Sequence, residues 1–128
     1  MQKNQAVTHK THTSSDLRDT IVQSILDKHG RQLVSLDLRH IEEAVTDYFV
    51  ICHADSTVQI KAIYKNVVKE VKQDLSENPW HQEGIQELEW VLLDYVNVVV
   101  HIFLEDKRKY YNLEELWHDA ELTHHNEE

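Results

Sequence analysis

Three polar residues, Asp94, Asn97 and His101, interrupt the most apolar part of the chain, residues 90–103, and chemistry would be sought there first. A histidine with a carboxylate nearby is the pairing of a general base and the acid that orients it. The same pairing also occurs at the edge of a core, where the imidazole is simply hydrogen-bonded to backbone or to a carboxylate such as Asp94. Nothing completes a catalytic set around His101. The chain has no Gly-x-Ser-x-Gly elbow, no glycine-rich loop ending in Lys-Ser or Lys-Thr, and no His-Glu-x-x-His. His101 is therefore expected to be structural. Ten histidines could suggest zinc, but they are scattered, and only His124 and His125 are adjacent. His9 and His12 would need ligands from elsewhere. The single cysteine, Cys52, sits in an apolar run and reads as a small buried hydrophobe of a reducing compartment. No catalytic residue, metal or cofactor is assigned.

Composition narrows the partners. With 128 residues the chain fits one domain that buries a core without staples. No apolar segment has the length of a membrane span and the first residues lack a signal-peptide pattern, so a soluble cytoplasmic protein is expected. Thirteen Lys plus Arg against 23 Asp plus Glu give a net charge of -10, which disfavours binding that depends on neutralising phosphates. Residues 73–106 contain no Lys or Arg, while Asp74, Glu77, Glu83, Glu87, Glu89, Asp94, Glu105 and Asp106 are all acidic. Such a run is either a solvated surface or a patch that attracts a basic protein.

The elements that would position these residues follow from periodicity. Residues 1–13 are polar and aperiodic and read as a flexible tail. A helix is predicted from Ser14 or Ser15, with Leu17, Ile21, Val22, Ile25 and Leu26 on one face and Gly30 as a left-handed stop. Residues 33–38 alternate as a strand, 39–47 connect, and Tyr48 to Cys52 form an interior strand. Ser56 and Gln59 have capping-box spacing, and Ile60, Ile63, Tyr64, Val67, Val68, Val71 and Leu75 mark the clearest helix. A short strand is hidden between Pro79 and Glu89. Two β-branched runs around residues 95–97 predict a hairpin at the centre of a sheet, covered on both faces. Asn112 and Glu115 suggest the cap of a last short helix, with Leu113, Leu116 and Trp117 buried. Residues 121–128 read as a second flexible tail. The fold class is α/β, a single-domain mixed sheet flanked by helices, over residues 14–120.

Several of these segments together resemble the ribosomal silencing factor family, also called Iojap-like. They are Trp90-Val91-Leu92-Leu93-Asp94-Tyr95, Val99-Val100-His101-Ile102-Phe103, residues 110–120, Thr46 to Cys52, Ser56 to Gln59, and Glu83-Gly84. The resemblance spans residues 16–120 and implies a nucleotidyltransferase-like fold without nucleotidyltransferase chemistry. Those enzymes need a Gly-Ser turn and paired strand carboxylates for two metal ions, whereas Asp37 and Asp94 stand alone. It further implies binding to the large ribosomal subunit through its protein fourteen, which would block joining of the small subunit and repress translation under nutrient limitation. Ribosome biogenesis is a related role.

On that resemblance the partner-binding residues are Glu83, Trp90, Asp94, Tyr95, Asn97, His101 and Tyr111. Aromatic anchors ringed by carboxylates suit a basic partner. The chain departs from the family pattern at Val96-Asn97, where Gly-Asp is usual, and at His53-Ala54, where Ser-Gly is usual. A β-branched residue is a poor occupant of positive φ, so Asn97 rather than Val96 is expected to take any left-handed conformation. The alternatives are a nucleotide-handling enzyme of the related fold and a homodimerisation module built on an exposed sheet edge.

Overall fold

The computed structural model describes residues 12–126. Ten elements run in the order α1 (Ser14–Asp27), β1 (Arg31–Asp37), β2 (Tyr48–Ala54), α2 (Thr57–Leu75), β3 (His81–Glu83), β4 (Trp90–Asp94), β5 (Val98–Leu104), α3 (Glu105–Tyr111), α4 (Leu113–Leu116) and β6 (Glu121–His124). The strands form one mixed sheet in the order β3-β4-β5-β2-β1-β6. β2 and β5 are parallel and every other pair is antiparallel.

One face of the sheet packs on α1 and α2. Leu17, Ile21 and Ile25 of α1 and Ile60, Ile63 and Val67 of α2 meet Val50, Cys52, Val91, Leu93, Val100 and Ile102 of the strands in a single buried cluster. The helices form where the 3.6-residue apolar period allows that face to be covered. α1 is capped by Thr13, one residue before the predicted start, in a reciprocal capping box with Asp16. The Thr13 backbone N–H donates to Asp16 and holds its carboxyl below the usual range. Gly30 does not supply the left-handed stop: His29 does, at φ 64. The Gly30 N–H bonds to the Ile25 carbonyl at 3.1 Å and the His29 N–H to that of Leu26 at 3.0 Å, a Schellman ending. Glycine is needed at 30 for space, because a Cβ would lie 2.3 Å from Ile25 Cγ2. Ser56 caps α2 as predicted, accepting from the Gln59 N–H. The Gln59 side chain turns instead to the carbonyls of Lys28 and His29, tying the end of α1 to the start of α2.

The other face is covered only in part. Val34, Leu36, Leu38, Ile51 and Phe103 form a smaller core with Phe49, Trp90, Leu113 and Trp117 packed against it. α3, α4 and the connector 38–47 supply this cover. The hairpin is therefore not enclosed on both faces as its apolar runs predicted. β5 is interior, but β4 lies next to the edge strand β3, and its residues alternate between buried Val91 and Leu93 and half-buried Trp90, Leu92 and Asp94.

Residues 121–124 are not a loose tail. They pair antiparallel with β1, Val34 opposite His124 and Asp37 opposite Glu121, and form the outer strand. The His125 N–H donates to the Leu33 carbonyl and Asn126 Oδ1 accepts from the Leu33 N–H. Four exposed polar-rich residues give no burial period, so backbone pairing, which leaves no mark on side-chain pattern, holds this strand. The predicted tail 1–13 falls almost wholly outside the described residues; Thr13 is the α1 cap.

Candidate partner-binding face

β4 and β5 bring three of the seven predicted residues, Trp90, Asp94 and His101, to one face. In the antiparallel register Trp90 pairs with Phe103, Leu92 with His101, and Asp94 with Val99. Side chains of these paired residues share the half-covered face. On it Trp90 packs against Tyr111 of α3 with ring centroids 4.5 Å apart and planes inclined by 44°, and against Phe103 at 4.9 Å and 31°. Tyr111 is 45% exposed, so the two rings form an aromatic ridge that reaches solvent.

His101 lies behind that ridge. It is 4% exposed, with Phe49 edge-on at 4.6 Å. The Trp90 indole Nε1–H donates to His101 Nδ1 at 3.1 Å. Burial pushes the imidazole pKa down to about 3, so the ring is neutral, and with Nδ1 accepting, its proton sits on Nε2. The expected hydrogen bond to Asp94 is absent. Asp94 Oδ1 instead accepts the Val96 N–H at 2.7 Å, across the hairpin turn. His101 therefore orients Trp90 from a buried position.

Tyr95 is likewise displaced from the surface role. It is 2% exposed, on the face that packs on α1 and α2, and burial raises its phenol pKa. One residue along a strand reverses the face, so the sequence Asp94-Tyr95 places the acid on the half-open side and the ring in the core. Glu83 is exposed on the edge strand β3 and pairs with His81 at 2.7 Å. Asn97 is exposed at the hairpin turn.

That turn reverses the expected conformation. Val96, not Asn97, has positive φ, at 75°. The Asn97 N–H returns to the Tyr95 carbonyl at 2.9 Å, and the Tyr95 N–H bonds to the Val98 carbonyl. A three-residue turn of this hand is strained for any residue with a Cβ and more so for a β-branched one. Asn97 is fixed from its other side, since its carbonyl accepts from the N–H groups of both Asp47 and Tyr48.

The second departure, His53-Ala54, is buried at the end of β2. His53 Nδ1 accepts from Arg108 at 3.0 Å, and burial, then the Arg108 charge, depress the His53 pKa. Arg108 is 8% exposed and is the node of a buried polar network. Its Nε and Nη2 donate to Glu114 at 3.0 and 2.6 Å, and its Nη1 to the Gln32 carbonyl at 2.7 Å. β1, β2, α3 and α4 are joined at this one guanidinium. Nothing in the residue pattern announces it, because the run Glu105 to Lys109 reads as a wet connector; α3 forms there and turns Arg108 inward.

The last helix also differs from expectation. Asn112 adopts left-handed geometry at φ 49 without a side-chain cap, splitting α3 from α4. Leu113 and Trp117 pack on the sheet, but Leu116 is 70% exposed.

No helix among the described residues is long and apolar enough to cross a membrane, and none of their His, Cys, Asp and Glu side chains group in threes suited to a metal ion. Cys52 is buried against Gly30 and its thiol is pushed up to about 12 by burial. Asp37 is paired with Arg39, which holds its carboxyl below the usual range.

Comparison with known proteins agrees with this picture. A family model described as "Ribosomal silencing factor during starvation" matches residues 11–128. The chain is 44% identical over 100 residues to the ribosomal silencing factor of Bacillus subtilis (strain 168), covering 76% of this chain and 80% of that protein. It is 30% identical over 101 residues to "Mitochondrial assembly of ribosomal large subunit protein 1" of Mus musculus, covering 77% of this chain and 44% of that one. A crystal structure of a protein from Chromobacterium violaceum superposes with a TM-score of 0.79 at 27% identity, over 84% of this chain and 88% of that one. With most of its length matched by the family model, the chain belongs to the ribosomal silencing factor family.

Proposed function

We propose that this protein silences translation by binding the large ribosomal subunit through its basic protein fourteen and standing in the way of the small subunit. The observation that carries this reading is the Trp90–Tyr111 ridge, set on a body of net charge -10. Aromatic rings packed against each other and half-buried in their own chain lose little conformational freedom on binding, which makes them good anchors. Glu83 and Asp94 flank the β4 surface and favour a cationic partner, with Asn97 adding a hydrogen-bonding group beyond the turn. No reaction is needed. Two ligands that exclude each other from one surface are coupled unfavourably, so subunit joining falls by mass action. The relative's name that mentions assembly of the large ribosomal subunit supports the choice of subunit and a link to biogenesis. The reading also places the protein in the cytoplasm, with the ribosomes.

The test is sedimentation of purified large subunits with the full chain, followed by addition of small subunits. Co-migration with loss of joined ribosomes is expected, and Trp90→Ala is expected to weaken it by about ten-fold or more. Absence of co-migration by the unaltered chain would discard the reading. Self-association would use a free edge of the sheet, β3 or β6, and would appear as mass that rises with concentration in the same buffer.

A further inference from the structure

Beside the aromatic ridge, the half-covered face holds a groove of about 290 Å³ between the connector 38–47 and the β4–β5 hairpin. Phe49, Leu92, Val99 and Trp117 make it apolar, and Glu43 and Asp94 line it with carboxylates. Two of the lining residues, His101 and Thr46, each carry a buried polar atom, Nε2 and Oγ1, with no hydrogen-bonding partner among the described residues. They are 4% and 8% exposed. Because Trp90 donates to the other ring nitrogen, Nε2 carries a proton, so the groove contains a fixed donor that the chain leaves unanswered. Buried donors are seldom left without an acceptor, and an incoming molecule can supply one.

Charge decides what that molecule is. A second copy of this chain would bring Glu43 and Asp94 toward their own like on a protein of net charge -10. A cationic segment meets no such repulsion. We propose that the groove receives one branched apolar side chain, of the leucine class, from a basic protein segment. The segment's backbone carbonyl accepts the His101 Nε2–H, and a neighbouring Lys or Arg pairs with Glu43 and Asp94. The inference rests on the reading above for the identity of the basic partner, and adds to it a pocket that the ridge alone does not provide. His101 joins the two: its ring holds Trp90 and is among the residues that line the groove.

The test uses the full chain with histidine ring nitrogens labelled, and the synthetic peptide Ac-Lys-Leu-Arg-NH2 as probe. A saturable shift of the His101 Nε2–H resonance is expected, weaker by about ten-fold or more for Ac-Glu-Leu-Glu-NH2. Val99→Phe fills the groove and should abolish the shift; Glu43→Lys, at an exposed position that leaves folding intact, should reverse the order of the two peptides. An unmoved His101 resonance, or one that responds equally in both variants, overturns the proposal. Large subunits separate this result from the reading it rests on. If the unaltered chain and both variants co-sediment equally, the groove is dismissed and the silencing reading stands. If the peptide binds as expected and no chain co-sediments, the groove stands and its basic partner lies elsewhere.

Discussion

At the scale of single residues, this chain stores strain at Val96 and a titration at His101. Val96 is 55% exposed and contributes little burial to offset its φ of 75°. Replacing it with glycine removes a strain of about 1–3 kcal/mol and adds less than about 1 kcal/mol of unfolded-chain entropy. Val96→Gly is therefore expected to raise stability by about 1 kcal/mol, read as a higher denaturant midpoint at unchanged slope. His101 works in the opposite sense as pH falls. Its folded pKa lies at about 3, below the unfolded value, so the unfolded chain takes up a proton that the folded one refuses. The stability is present above the unfolded pKa of about 6.5 and drains away as pH falls from there toward 3. Urea melts at pH 7 and pH 5 should differ by about 2 kcal/mol for this group alone, and His101→Gln, which keeps an acceptor for Trp90, should show about half that difference or less. His53, also depressed by burial and Arg108, adds to the slope in the same direction as pH falls below the unfolded value. Which residue strains and which titrates was not written in the sequence. The chain shows a valine where a glycine is usual, but its φ was set by a hairpin register that side-chain pattern does not specify.

Among the elements, β6 is the one whose role differs most from its composition. Its four residues are exposed, yet they cover the backbone of β1 and are continued by His125, whose Nε2 lies 2.9 Å from Ser35 Oγ. Ending the chain after Ala120 returns β1 to the edge and frees a row of N–H and C=O groups. Each backbone bond is worth about 0.5–1.5 kcal/mol net, so a loss of about 2 kcal/mol is expected after the entropy of ordering the strand is subtracted. Thermal unfolding would measure it, and light scattering would show self-association through the bared edge. Periodicity identified α1, α2, β1, β2 and the hairpin because each has an apolar face to bury. It failed at α3, a short charged helix whose only buried side chain is Arg108.

For the whole molecule the dominant quantity is charge. A body of net charge -10 with a cation-free stretch from 73 to 106 should be steered toward a basic surface and away from nucleic acid. The association rate with large subunits is accordingly expected to fall by about ten-fold or more as salt is raised from about 0.05 to 0.5 M, while dissociation changes far less. A stopped-flow series would resolve the two. Sequence alone determined the net charge, the main helices and interior strands, the family, and the rank of residues 90–103 as the organising stretch. These depend on composition and on local period, which a linear string contains in full. Tertiary structure decided the faces. It sent Tyr95 into the core and Asp94 to the half-open side, hid His101 behind Trp90, carried Tyr111 from another helix onto Trp90, and turned Arg108 into a buried junction. Contacts between residues far apart in the chain arise from sheet order and register, and these are fixed by the packing of all the elements at once.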